Sequence, residues 1–190
     1  MQKLFFILLV LATGCSQHYK DPHIVIKTDL GEIEAELYPG KAPKTTAAFL
    51  SYVDSGYYSN SSFYRVMKAE GVDGSNYGVI QGGTWQTTDS LHPNLPGIPN
   101  ESTKQTGLSH TDGTISLART TPGTASTEFF ICVGSQTQFD YGNLNGGDRE
   151  GFAAFGKVTK GMDIVKKIQD QRSTGESFDK KITIVSISRL

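Results

Sequence analysis

The stretch STEFFICVG, residues 126–134, decides how the rest of the chain is read. Phe129 to Val133 are consecutive apolar residues of strand-favouring type, closed by Gly134. That pattern predicts a buried aromatic strand able to wall an apolar pocket. Working outward, FYRV (63–66) places a single arginine on a second strand-like run, and IQGG (80–83) lies between the two. An arginine beside an apolar slot suits chemistry that needs one strong hydrogen-bond donor and no nucleophile.

Around these segments the chain reads as a succession of short strands. HIVIKT (23–28) and EIEAELY (32–38) alternate apolar and polar about Asp29-Leu30-Gly31, a hairpin pattern with Gly31 free to take a positive φ. Pro43 suits a first helical turn, and Ala47, Leu50 and Val53 recur at helical spacing until Gly56. SFYRVMK (62–68) returns to strand, residues 69–77 read as an inserted polar loop, and VIQGG (79–83) follows. Residues 84–113 carry three prolines and read as a long, irregular, site-forming loop. TISLA (114–118), EFFICVG (128–134), FAAFGKV (152–158) and the closing KKITIVSISRL are strands; residues 141–150 form a glycine-rich loop. MDIVKKIQ (162–169) sets Ile164, Val165 and Ile168 on one helical face. About eight strands and two helices result, and composition by itself establishes only a β-rich domain.

The 190 residues predict one domain with a short appendage. With 18 Lys and Arg against 19 Asp and Glu and no basic run, a nucleic-acid partner is not expected. Lys3 followed by the apolar run at 4–11 predicts a signal peptide over residues 1–14, too short to span a bilayer. Ala12-Thr13-Gly14-Cys15-Ser16 resembles a bacterial lipoprotein cleavage box, with Cys15 as the lipidated residue and 15–22 as a tether to a domain at 23–190. A membrane contact through that lipid, and a place in the bacterial periplasm, follow as expectations. Cys132, the other cysteine, is expected as a small buried apolar residue. A hydrolase lacks support: there is no G-x-S-x-G, and His18, His23, His92 and His110 stand in unrelated contexts, His110 reading as a loop residue. No two of these histidines have metal-ligand spacing, so neither metal nor cofactor is expected.

Taken in order, GEIEAELYPGKAPKTTAAFL, FYRV, IQGG, ISLAR with EFFICVG, FAAFGKVTKGMDIV and KKITI resemble the cyclophilin-type peptidyl-prolyl cis-trans isomerases over nearly all of residues 23–190. The resemblance implies a closed eight-stranded antiparallel β-barrel capped by two α-helices, acting as a monomer on proline-containing polypeptides. Amide rotation faces a barrier of about 18–20 kcal/mol, so an X-Pro bond turns over unaided in about 10–100 s. A guanidinium that donates to the prolyl nitrogen as it pyramidalises binds the twisted state more tightly than the planar one. By resemblance Arg65 has that role, and Phe130 is the pocket floor with Phe139 and Phe152 as walls. Gln81 orients bound backbone, and Ala118 and Arg119 belong to the segment that pairs with the substrate peptide.

Several positions depart from the family pattern. About eight extra residues separate Arg65 from Gln81, and the usual aromatic and methionine of the proline slot fall on Gly78 and Val79. The slot is therefore expected to be shallower, or to be refilled by Tyr77. Glu128 stands for the usual glutamine and Arg119 for the usual asparagine; a carboxylate at 128 is expected to pair with Arg65 and orient it, with Arg119 partly neutralising it. The tryptophan familiar beside Phe139 is replaced by Gln138, and Trp85 is expected to serve packing. These changes motivate an alternative: a proline-peptide-binding module or chaperone of the same fold with little turnover.

Overall fold

A computed structural model describes residues 19–71, 74, 76–85, 95–143 and 148–190. The expected signal segment and Cys15 lie outside these residues. Strands β1 (His23–Thr28) and β2 (Gly31–Leu37) form the expected hairpin, with Gly31 at φ 142°. Helix α1 (Pro43–Asp54) follows, then β3 (Ser61–Glu70) and β4 (Asn76–Gly83). After a one-turn helix α2 (Thr103–Thr106) come β5 (Thr114–Leu117), β6 (Phe129–Val133) and β7 (Ala153–Lys160). Helix α3 (Met162–Gln169), the short β8 (Ser173–Thr174) and the long β9 (Ser177–Arg189) complete the chain.

Every pairing is antiparallel, in the order β1-β2-β7-β5-β6-β4-β3-β9, and β1 pairs back onto β9. Eight strands therefore close on themselves and leave no open edge for another chain to extend. β8 stands outside the ring, paired only to β9. The barrel interior holds Ile24, Ile33, Leu37, Phe63, Ile80, Ile115, Phe129, Phe155 and Ile184, each fully buried. Helix α1 closes one opening with Phe49, Leu50 and Val53, and α3 packs on the barrel with Val165 and Ile168.

Two features correct the reading of the sequence. Residues 69–77 are not simply an inserted loop: Ala69 pairs with Tyr77 and Glu70 with Asn76, so most of the added length extends the β3–β4 hairpin. Gly78 makes the extension possible, since it sits at φ 128° where any Cβ would strike the Met67 carbonyl. The segment before β5, expected only as irregular, carries an anchor within its described residues 95–113. Glu101 accepts hydrogen bonds from the N–H groups of Lys44 (3.2 Å) and Thr45 (2.7 Å), capping α1 from 57 and 56 residues away. The helix has no local side-chain cap, so a distant carboxylate satisfies the free N–H groups of its first turn. None of the described helices is long and apolar enough to cross a membrane.

Candidate active site

Strand alternation sorts β6 into two environments. Phe129 and Ile131 point into the barrel, whereas Phe130 and Cys132 point outward with Val79 into a second apolar cluster. Phe130, Phe139 and Phe152 meet edge to face there, with centroids 5.4–5.5 Å apart. They floor a cleft of ≈ 680 Å³ whose walls include Met67, Val79, Ala118, Arg65 and Gln81. The structure thus gathers all the site residues expected from the sequence, apart from Cys15, into one cleft.

The floor has a polar support that sequence reasoning passed over. His110 lies in a loop, as expected, but it is fully buried and stacks on Phe130 at 5.8 Å and 16°. Its Nδ1 lies 2.6 Å from Asp140 Oδ1 and its Nε2 lies 3.0 Å from Ser116 Oγ. Burial holds the imidazole below its usual range against the opposing pull of Asp140. The neutral ring then donates from Nδ1 to the carboxylate and accepts from the Ser116 hydroxyl. The order serine, histidine, aspartate resembles a hydrolase triad, but Ser116 is fully buried and is not among the residues lining the cleft. The row orients the floor. Cys132 is likewise fully buried, and desolvation pushes its thiol above the ordinary range, which makes it a poor nucleophile.

The slot is not refilled by Tyr77, whose ring rests against the backbone of Gly134. Met67, which pairs across the hairpin with Val79, lines the cleft instead. Sulfur and methylenes from β3 thus occupy space beside the shortened β4 side chain. The signal was available in the hairpin register, but only once residues 69–77 are read as strand.

Arg65 sits at the cleft on β3. A bulge between Phe63 and Arg65 makes Tyr64 an extra residue against β4, and the β3–β9 ladder shifts register at the same point. Consecutive strand residues normally face opposite sides, but here both Tyr64 and Arg65 line the cleft. Arg65 Nη1 donates to Gln81 Oε1 at 2.8 Å, while Nε and Nη2 donate to Glu176 Oε2 at 2.9 and 2.6 Å. Of the five guanidinium N–H groups, one on Nη1 and one on Nη2 remain without a partner among the described residues. Glu176 belongs to the two-residue turn between β8 and β9, and its own carbonyl accepts from Val66 N–H. The ion pair is 41% and 55% exposed, so it is worth at most about 1 kcal/mol and competes weakly with a substrate.

Glu128 corrects the expected direct pairing. It accepts from Tyr64 Oη (2.7 Å), Trp85 N–H (2.9 Å) and Thr127 Oγ1 (3.1 Å), not from Arg65. Gly83 leaves the room, because a Cβ there would fall 2.5 Å from both carboxylate oxygens. Arg119 does not neutralise Glu128: it binds Asp148 through Nη1 (2.7 Å) and Nη2 (3.0 Å) and lies over the Phe152 ring at 4.8 Å. Its side chain, only 2% exposed, is a stiff wall. The Ala118 N–H is bonded to the Glu128 carbonyl and so is not open to a substrate peptide. Trp85, expected as packing, is 55% exposed and lines the cleft. Among the described residues no cluster of side chains could hold a metal ion.

Burial lifts the Glu128 carboxyl above the ordinary carboxylate range, against hydrogen bonds from Tyr64, Trp85, Thr127 and Thr84 that lower it. A carboxyl with a higher pKa folded than unfolded favours the fold below its unfolded value and loses that contribution as pH rises through the folded one. Glu128→Gln is therefore expected to melt higher than the wild type near about pH 8, with the advantage shrinking toward about pH 4. Thermal melts of both proteins across that range check the sign.

The chain matches the family described as "Cyclophilin type peptidyl-prolyl cis-trans isomerase/CLD" over residues 23–189. It is 40% identical over 146 residues to a peptidyl-prolyl cis-trans isomerase of Acinetobacter baylyi, across 76% of this chain and 70% of that one. Peptidyl-prolyl cis-trans isomerase B of Escherichia coli is 34% identical over 157 residues, covering 81% and 87% of the two chains. A solved cyclophilin type isomerase of Cryptosporidium parvum superposes with a TM-score of 0.70 at 22% identity, over 90% of this chain and 98% of that one, a likeness of fold. The chain belongs to the cyclophilin-type peptidyl-prolyl cis-trans isomerases. Its activity is cis-trans isomerisation of X-Pro bonds in proline-containing polypeptides.

Proposed function

We propose that Arg65 accelerates the rotation by donating a hydrogen bond to the prolyl nitrogen as resonance with the carbonyl is lost. The observation that carries this is the guanidinium itself. It is tethered on two sides by Gln81 and Glu176, retains two N–H groups without a partner among the described residues, and lies beside an apolar slot with an aromatic floor. The proline ring enters that slot over Phe130, which excludes water from one face of the amide. In the planar ground state the nitrogen lone pair is delocalised and accepts poorly; in the twisted state it is localised and basic. The bond thus strengthens on the way to the transition state, where it lowers the barrier. Exchange NMR on an X-Pro peptide with wild-type and Arg65→Ala protein tests the assignment.

The substrates fitting the N-terminal sequence are exported or envelope proteins. The apolar run at 4–11 and the box at 12–16 support a lipid on Cys15 and a domain held in the bacterial periplasm. Acyl chains contribute about 0.8 kcal/mol per buried CH₂, so a multiply acylated cysteine anchors a soluble domain firmly. Metabolic labelling with a fatty acid is expected to mark the wild type and to fail with Cys15→Ala, which would also leave the membrane fraction. A labelled Cys15→Ala protein would overturn the anchor.

A further inference from the structure

Gln81 holds Arg65, and something must decide which end of the Gln81 amide faces the guanidinium. The amide has a donating and an accepting end, and only the accepting end suits arginine. If the amide turned over, two donors would meet and the Arg65 tether would be lost. The structure contains a chain that fixes this choice. Glu128 Oε2 accepts from the Tyr64 hydroxyl at 2.7 Å. The Tyr64 oxygen accepts from Gln81 Nε2 at 2.8 Å, and Gln81 Oε1 accepts from Arg65 Nη1 at 2.8 Å. An ionised carboxylate is an acceptor only, so Tyr64 must donate toward Glu128 and receive from Gln81. Each link then has one direction, ending with a carbonyl oxygen aimed at Arg65.

We propose that Tyr64, carried into the cleft by the β3 bulge and polarised by the Glu128 carboxylate, is a positioning residue that sets the Gln81 amide and through it the Arg65 guanidinium. This rests on the reading of Arg65 as the donor in the reaction. No hydrogen bond joins the Tyr64 hydroxyl to Arg65 among the described residues, and its effect travels through Gln81. The bulge is what makes the chain geometrically possible, because regular alternation would put Tyr64 and Arg65 on opposite faces. A glutamine at 128 would still accept from Tyr64, but as a group with both donor and acceptor ends it would not enforce the direction.

Among the described residues, these groups face Glu128. Tyr64 reaches it from β3 and Tyr58 from the segment after α1; the Arg65 charge acts on Tyr64, and Thr127 with the N–H groups of Thr84 and Trp85 completes the shell. Both phenols are raised by burial and by Glu128, so both stay protonated while the carboxyl titrates. The one proton that changes the chain is on Glu128. Its loss orders the chain, and its gain at acid pH lets Glu128 donate and removes the bias. Burial places that change above the ordinary carboxylate range.

The test is Tyr64→Phe, which keeps the ring and removes the hydroxyl, measured by exchange NMR for kcat and KM across acid to neutral pH. The expected result is a fall of about tenfold in kcat, the size one hydrogen bond carries, with KM within about twofold. The wild-type profile falls on the acid side, and the Tyr64→Phe profile is flat there. In parallel, the Gln81 side-chain amide resonances shift with that titration in the wild type and cease to do so in the variant. A purely structural role would move Tm and leave the profile and these resonances as in the wild type. Wild-type kcat in Tyr64→Phe, or an unchanged acid limb, overturns the proposal. Should Tyr64→Phe fail to fold, Glu128→Gln supplies the same readout: its acid limb must vanish, and persistence of the limb overturns the proposal. Arg65→Ala separates the two readings. Full activity in that variant defeats Arg65 as donor, whereas an inactive Arg65→Ala beside a wild-type-like Tyr64→Phe defeats only the role of Tyr64.

Discussion

Arg65→Ala is expected to lower kcat/KM on an X-Pro peptide by about 10²–10³, the cost of removing one preorganised donor aimed at developing charge. The fold should be nearly indifferent. Arg65 is 41% exposed, and its recorded partners are Glu176 and Gln81 at the rim rather than groups in the core. Such a pair contributes at most about 1 kcal/mol. The separation of the two effects is the diagnostic: activity collapses while Tm moves by a few degrees at most. Arg65→Lys should recover only part of the loss. An ammonium supplies charge, but it lacks the planar fork that serves Glu176, Gln81 and substrate at once. Arg65→Ala with wild-type kcat/KM would remove the guanidinium from the mechanism and leave the apolar slot as the whole of catalysis.

The strands were legible because their signal is local, whereas the closed barrel came from the family resemblance. Alternation in HIVIKT, EIEAELY and KKITIVSISRL reports which residues face a core, and β1, β2 and β9 fall there. What was not legible depends on pairing between distant positions or on a break in the period. Tyr64 is hidden because alternation assigns it to the face opposite Arg65, and a bulge cannot be read from one strand when it is defined by its partners. Glu176 meets Arg65 across 111 residues and Glu101 caps α1 across 56, and neither residue stands in a local pattern. Glu128 was recognised as the unusual residue, yet its expected partner was wrong. Burial and Tyr64 lie between it and Arg65, so the influence is relayed rather than direct. Trp85 and His110 were each judged by context in an irregular stretch, where periodicity carries no information about burial. One proves exposed at the cleft and the other fully buried beneath it.

Phe129→Ala and Phe130→Ala, one residue apart on β6, are expected to fail in different ways. Phe129 is fully buried in the barrel and meets Phe49, Tyr58 and Phe63 at 5.7 Å, near edge-to-face in each case. Its truncation leaves a closed void among rings that cannot all move inward, because Phe49 and Phe63 are held by α1 and β3 and the Tyr58 hydroxyl is bonded to the Thr127 carbonyl. A loss of about 3–5 kcal/mol follows. In a domain of this size each kcal/mol shifts Tm by about 2–4 °C, so a fall of roughly 6–20 °C is expected. Molecules still folded at lower temperature should keep kcat/KM within about threefold, since the cleft lies on the other face of the strand. Phe130 is nearly as buried, at 4% exposed, but the space its truncation opens adjoins the cleft, where water can enter. The stability loss should be smaller, while kcat/KM falls by about tenfold or more because the proline ring loses its apolar floor. Burial alone would rank the two residues equally; the face of the strand separates them. Melting curves and isomerisation rates for the pair decide the matter, and equal losses of both quantities in the two variants would mean that core and cleft are not independently packed.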